Sequence, residues 1–200
     1  MNKKFHLNLG IFLIINIIFY GFIILFNTRI PFSAYDYRVN AHHYLTDQRI
    51  NKKSFNLLDA LGQYDAQWYL KIAEKGYPKN PAPETLDNKK IMGGLSYAFF
   101  PFYPVILSIF NAPIGNIEFS AFTVANILLI LNFLSLYFMI KQFYSPGIAF
   151  KTIFLLFLFP FSMFYRSYFT EGLFLFLLIW FCTAFCPKNG GLPQLQWPLL

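Results

Sequence analysis

The chain has 200 residues and carries 16 Lys/Arg against 9 Asp/Glu, a formal net charge of +7. Hydrophobic residues reach 56% and charged ones only 12%, against roughly 45–50% and 25% in soluble domains, and Phe alone occurs 27 times. These proportions exclude intrinsic disorder and an ordinary soluble enzyme. The basic balance does not point to nucleic acid either, because the charges are concentrated: residues 27–118 hold 18 of the 25, and hydrocarbon flanks that block. The pattern predicts an all-α, integral, multi-pass membrane protein with one large polar insert.

Leu7 to Phe26 is a run of 20 uncharged residues preceded by Lys3 and Lys4, long enough as a helix to cross the hydrocarbon core. No small-residue cleavage site follows it, so an uncleaved first span is expected at 7–26. The insert 27–118 comes next, with helices expected near 59–76 and 97–110. The second of these has 14 apolar residues, too few to span, and contains Pro101 and Pro104, which suits a re-entrant or interfacial helix. Further spans are expected at 119–140, at 148–165 with Lys151 near its start and Pro160 inside, and at 167–186 with one charge, Glu171. Residues 1–186 thus read as a single membrane domain with about four spans, followed by an atypical tail at 187–200.

Orientation follows from lysines in short loops. With the N-terminus in the cytoplasm, Lys3, Lys4, Lys141, Lys151 and Lys188 share the inner side. The insert and the turn around Arg166–Thr170 then face outward. Cys182 and Cys186 offer no disulfide framework. His42 and His43 stand together without a third ligand at metal-like spacing and read as solvated loop residues.

In the stretch DALGQYDAQWYLKIAEKG (59–76), Asp59 reads as a helix N-cap and Gly76 as the residue just past the C-terminus. Helical spacing puts Leu58, Leu61, Trp68, Tyr69 and Ile72 on one face, with Gln63, Gln67 and Glu74 opposite. Asp65 then falls in the middle of the apolar face. A carboxylate there either pairs with an Arg or Lys of the insert or does chemistry. Glu171, at the outward end of the last span and close to Arg166, offers the same choice: a first-turn Glu paired with Arg166, or a functional group. The N-in topology puts Asp65 and Glu171 on one side of the membrane.

Three elements in order, YDAQWYLKIAEKGYP (64–78), AFFPFYPVIL (98–107) and SYFTEGLF (167–174), resemble the PIG-V type of mannosyltransferase within the GT-C class of polytopic glycosyltransferases. The family pattern, a Trp-Asp pair followed by W-Y-x-x-I-A-x-x-G-Y, is matched by Asp65, Trp68, Tyr69, Ile72, Ala73, Gly76 and Tyr77, with Tyr64 in the place of the family's Trp. Phe99, Phe100, Pro101, Tyr103 and Pro104 match its F-F-P-x-Y-P element. Tyr168 and Glu171 match loosely a later tyrosine–serine–glutamate element, with an extra residue between them. Since such enzymes have eight or more spans, the chain is expected to be an N-terminal portion.

The resemblance implies transfer of a sugar, most simply mannose, from a polyprenyl- or dolichyl-phosphate donor to a hydroxyl acceptor (glycan, glycolipid or protein). The site would lie on the outer or lumenal face, in the cell membrane of a prokaryote or the ER membrane of a eukaryote. No cofactor is assigned and a divalent metal is left open: the lipid phosphate is already a good leaving group, so one general base suffices, and a single displacement inverts the anomeric carbon. The resemblance gives that role to Asp65. The role asks for partial desolvation, since burial raises a carboxyl pKa toward working pH. Trp68 and Tyr69 are expected to contact substrate, Arg166 to neutralise the departing phosphate, and Glu171 to bind acceptor hydroxyls or a metal. The competing class is a non-catalytic membrane protein (an accessory subunit or transporter piece) or an inactive fragment of the enzyme.

Overall fold

A computed structural model describes residues 3–29, 56–77, 84–86, 89–91 and 95–185. The expectations for His42, His43, Lys188 and the tail 187–200 lie outside the described residues. The described chain is helical apart from one short hairpin. Its helices are α1 (Lys3–Arg29), α2 (Leu57–Leu61), α3 (Ala66–Lys75), α4 (Phe102–Ile114), α5 (Ile117–Lys141), α6 (Pro146–Leu158) and α7 (Glu171–Phe185). Single 3-10 segments run over Leu95–Ala98 and Pro160–Tyr165. The hairpin pairs β1 (Glu84–Leu86) with β2 (Lys89–Ile91) antiparallel, Thr85 opposite Lys90.

The organising element is α5, against which α2, α3, α4, α6 and α7 all pack. Its start is fixed by Asn116, whose side chain accepts the Phe119 N–H at 2.9 Å, and Glu118 and Lys141 sit at the ends that the helix dipole favours. It is apolar all round, although Phe119, Ile127 and Phe138 remain exposed. Of its two fully buried polar residues, Ser120 and Asn132, the second donates to the Gly172 carbonyl at 2.8 Å and so ties α5 to α7. Upstream, Gly115 closes α4 in a left-handed conformation (φ 70°), its N–H bonded to the Asn111 carbonyl at 2.8 Å. Downstream, Ser145 caps α6 with Pro146 at its first position.

At about 1.5 Å per residue, α1 and α5, with 27 and 25 residues, reach roughly 40 and 37 Å, more than the hydrocarbon core needs. They are the two described helices long and apolar enough to cross a membrane. The expected segments 148–165 and 167–186 take a different form. Helix α6 has 13 residues and gives way at Pro160 to the 3-10 segment, and α7 has 15 and starts at Glu171.

The helices sort the charges into two ends. Phe5 packs on Tyr137 (4.8 Å) and Phe150 (6.3 Å), so the start of α1, the end of α5 and the start of α6 lie together. Phe12 meets Phe133 at 4.5 Å, and the Tyr20 hydroxyl donates to Asn126 at 3.1 Å, which continues the antiparallel contact of α1 with α5. At the opposite end, a second apolar cluster joins Leu61, Leu70, Tyr103, Ala121, Tyr168 and Leu173.

One expected helix is broken in two. The segment 59–76 is interrupted at Gly62, and Tyr64 takes a left-handed conformation (φ 53°). Asp59 is not the N-cap: that is Asn56, which forms a capping box with Asp59 at the third helical position (2.9 and 3.1 Å). The break has a tertiary cause. A continuous helix needs the Leu61 carbonyl for the Asp65 N–H, but that carbonyl accepts the Tyr168 N–H at 3.2 Å. The Tyr168 ring also comes so close to Gly62 that a Cβ there would sit 3.1 Å from it. A left-handed tyrosine is unfavourable by about 1–2 kcal/mol. Its side chain is exposed, and nothing among the described residues is recorded as holding it. Tyr64→Gly is therefore expected to melt higher than Tyr64→Ala, by about 1 kcal/mol of stability. Within a helix the order is the reverse. Thermal unfolding in detergent of the two variants measures it.

Candidate functional site

Two features coincide at the end of the molecule that carries α3, α4 and the start of α7. The first is shape. A cavity of about 430 Å³ opens between these elements, lined by Tyr69 from α3, Phe100, Phe102 and Tyr103 from the start of α4, and Thr170 and Glu171 from the start of α7. A second groove of about 350 Å³ adjoins it through Ala98 and Phe100 and is walled by Tyr77 and Tyr97, whose rings stack at 5.7 Å. Phe100 at the junction is 81% exposed.

The second is the grouping of polar atoms. The Tyr69 and Thr170 hydroxyls, 101 residues apart in sequence, lie 3.5 Å from each other. Glu171 is half-buried, and its Oε2 has no hydrogen-bond partner among the described residues, nor has the hydroxyl of the fully buried Tyr103. Burial pushes the Tyr69 hydroxyl above its ordinary range. The Thr170 hydrogen bond works against that, and the Glu171 and Asp65 carboxylates add to it. Asp65 is thus near enough for its charge to act on both Tyr69 and Glu171. Asp65 and Glu171 lie at the same end of the molecule, with Glu171 in the cavity lining and Asp65 outside it. Among the described residues no group of three or more His, Cys, Asp or Glu could hold a metal ion.

Asp65 itself is placed differently from the expectation. It is exposed and occupies the N-cap position of α3, with no side-chain capping bond, rather than the centre of an apolar face. The break after Gly62 resets the helix, so the wheel drawn through 59–76 does not apply. The same reset buries Gln67 completely, although it was expected on the polar face, and leaves both atoms of its amide without partners among the described residues.

Of the other expected site residues, Tyr69 and Glu171 line the cavity. Trp68 does not: it is buried and stacked on Phe99 at 5.6 Å, with Lys71 over its ring at 5.1 Å, and so supports the wall behind Tyr69. Phe99 in turn meets the Tyr69 ring edge-on at 5.1 Å.

Arg166 is not in the site. It is fully buried, and its guanidinium is taken up by neutral acceptors: Nε donates to Asn16 Oδ1 (2.6 Å), Nη1 to the Ser162 carbonyl and hydroxyl (3.0 and 2.6 Å), Nη2 to the Phe157 carbonyl (3.0 Å). The Phe19 ring covers it at 4.6 Å. Arg166 therefore caps the C-terminal carbonyls of α6 and fastens them to α1. None of its hydrogen bonds goes to Glu171. Sequence reasoning missed Tyr103 and Thr170 as site residues. The signal for Tyr103 lay in its F-F-P-x-Y-P element, whereas nothing local marks Thr170.

Tyr103 supplies a test of this geometry. Its hydroxyl is held protonated well above the ordinary value of 10.0, first by burial and then by Glu171 and Tyr69. A phenol whose folded pKa is raised leaves stability unchanged below about pH 10 and erodes it above, where only the unfolded chain ionises. Tyr103→Phe removes an unpartnered buried hydroxyl. It should gain roughly 1 kcal/mol at neutral pH and flatten the loss of stability above about pH 10. Melting curves between neutral and alkaline pH show both effects.

Comparison with protein-family models, with curated proteins and with solved structures finds no match for this chain. Its reading therefore rests on the site's own chemistry and on the three motifs, all of which contribute residues to this end of the molecule.

Proposed function

We propose that the chain is a multi-pass membrane glycosyltransferase. It moves a sugar, mannose by the resemblance to PIG-V-type enzymes, from a polyprenyl- or dolichyl-phosphate donor to a hydroxyl acceptor on the outer or lumenal face. The single observation that carries this reading is the convergence of Tyr69, Thr170 and Glu171 on one aromatic-walled cavity at the end of the bundle remote from Lys4 and Lys141, with the exposed Asp65 one helical turn before Tyr69. In the proposed step, Asp65 accepts the proton of the acceptor hydroxyl as that oxygen bonds to the anomeric carbon. The bond from carbon to phosphate oxygen breaks on the opposite side, and the lipid phosphate leaves with the electron pair. Asp65 is exposed in the free chain, so its desolvation comes from the bound substrates. Glu171 and Tyr69 hold sugar hydroxyls, and the exposed rings of Phe100 and Phe102 offer faces for the sugar or the first isoprene units.

The membrane reading is supported by what α1 leaves uncovered. Only Phe5, Phe12 and Asn16 are buried along its 27 residues, while Leu7, Ile14, Ile17, Phe22 and Phe26 are exposed. Leu155, Phe174, Trp180 and Phe185 do the same on α6 and α7. Soluble proteins rarely expose so much contiguous apolar surface. In the N-in topology, a chain carrying Asn51→Cys, with Cys182 and Cys186 replaced, reacts with an impermeant maleimide from outside, and one carrying Asn189→Cys does not. The reverse pattern would sink the topology.

The donor assay tests the activity. The chain in lipid is offered lipid-phosphate mannose or nucleotide-mannose, together with a panel of glycan, glycolipid and peptide hydroxyls. Transfer from the lipid donor is expected. Consumption of the nucleotide sugar alone would overturn the assignment.

A further inference from the structure

At the lysine end, remote from the cavity above, the start of α1, the end of α5 and the start of α6 enclose a groove of about 470 Å³. That volume falls within the roughly 300–1,000 Å³ of small-molecule sites. Its floor is aromatic, with Phe5, Tyr137 and Phe150 in mutual contact at 4.8 to 6.3 Å. Its rim is cationic. Lys4 comes from one helix and Lys141 from another, 137 positions later, and the first turn of α6 at Pro146 and Gly147 adds the positive end of a helix dipole. Lys141 Nζ stands 5.9 Å from the Tyr137 ring centre.

Nothing in these elements neutralises that rim. The sequence has no Asp or Glu before Asp36 and none between Glu118 and Glu171, so α1, the body of α5 and all of α6 present no carboxylate to it. The other ionisable groups of these elements near this end, Lys3, His6 and Lys151, are basic as well, and Glu118 stands at the far end of α5.

We propose that this groove binds the phosphate of an anionic phospholipid headgroup, clamped between Lys4 and Lys141 on the aromatic floor. A lipid is favoured over a free anion by what lies alongside. Phe138, at the groove wall, and Leu7 and Ile11 on α1 are exposed apolar side chains that run from the headgroup position along the helices, where acyl chains would lie. The site would hold the inner-face ends of α1, α5 and α6 together by occupying the gap between them.

This inference rests on the membrane reading but not on the glycosyltransferase one. The test is native mass spectrometry of the whole chain in neutral detergent, offered equimolar phosphatidylglycerol and phosphatidylcholine. One phosphatidylglycerol is expected to be retained in preference. The double variant Lys4→Gln/Lys141→Gln should bind it about 30-fold more weakly, on the scale of two lysines at an anionic surface. Lys4→Arg/Lys141→Arg should keep it, and Lys3→Gln/Lys151→Gln, which makes the same charge change outside the groove, should leave it unchanged. Equal retention of phosphatidylcholine overturns the proposal, and so does an equal loss in the Lys3/Lys151 variant, which would mean diffuse attraction. Displacement of the lipid by millimolar inorganic phosphate would put a free anion in the groove and overturn the lipid assignment. A chain extracted from membranes by alkaline carbonate would remove the membrane reading and this site together. An embedded chain without lipid preference removes the site alone.

Discussion

Asp65→Asn is expected to reduce sugar transfer by about 10²–10⁴-fold, the usual contribution of a positioned general base, because an amide cannot accept the acceptor's proton. Stability should hardly change. Asp65 is exposed, makes no side-chain capping bond, and sits at an N-cap position where Asn serves as well as Asp. A shift within about 0.5 kcal/mol is the expected surface value. Glu74→Gln, another exposed carboxylate on α3, is the matched control and should keep full activity. Equal activity in the two variants would remove Asp65 from the chemistry. A large loss of stability in Asp65→Asn would make it a structural residue and return the site to Tyr69 and Glu171. Asp59 is not a suitable control, because it is buried and closes the capping box of α2.

Asn16→Leu is expected to be the most destabilising simple change in the bundle, by roughly 3 kcal/mol. It leaves the Nε–H of a buried guanidinium without its 2.6 Å acceptor, and an unpartnered donor on a charged group is among the costliest defects in a core. Arg166→Met removes the charge together with its needs. Ser162 continues to donate to the Phe157 carbonyl at 2.7 Å, so that helix end keeps one partner. The Asn16→Leu/Arg166→Met double variant should therefore lose clearly less than the sum of the single losses. Thermal melts of the three variants in detergent decide the matter. If Arg166 instead held the donor phosphate, Arg166→Met would abolish transfer while melting like the parent chain. Asn16 lies at the midpoint of α1, so in the membrane reading this clamp sits at mid-depth, where a guanidinium has no water to turn to.

The two ends of the molecule divide its work in the proposed reading. The lysine end carries the uncompensated positive charge that favours an inner membrane face and an anionic headgroup. The opposite end carries Asp65, Tyr69 and Glu171, and the apolar clusters between them keep the two separated along the length of α5.

Much of this was legible in the sequence, where local chemistry alone decides. The uninterrupted apolar runs at 7–26 and 119–140 predicted long helices, and α1 and α5 are those helices, long and apolar enough to cross a membrane. Gly76 ends α3 as read, because its left-handed φ of 72° favours a residue without Cβ. The concentration of charge in 27–118 was also readable.

Where a single hydrogen bond from a distant residue chose between two local outcomes, the sequence could not decide. The segment 59–76 has the periodicity of one helix. It is two because the Leu61 carbonyl bonds the Tyr168 N–H instead of the Asp65 N–H, and because the Tyr168 ring fills the space beside Gly62. That one exchange moved Asp65 from the middle of a face to the exposed start of a helix, and turned Gln67 inward. Arg166 is the same case. Next to Glu171 in sequence it reads as a partner for a carboxylate or a phosphate, but the unsatisfied carbonyl at the end of α6 and the amide of Asn16, 150 residues away, claim it first. Side-chain spacing specifies which residues share a face only while the backbone hydrogen-bond ladder runs unbroken, and in this chain tertiary partners decided where the ladder stopped.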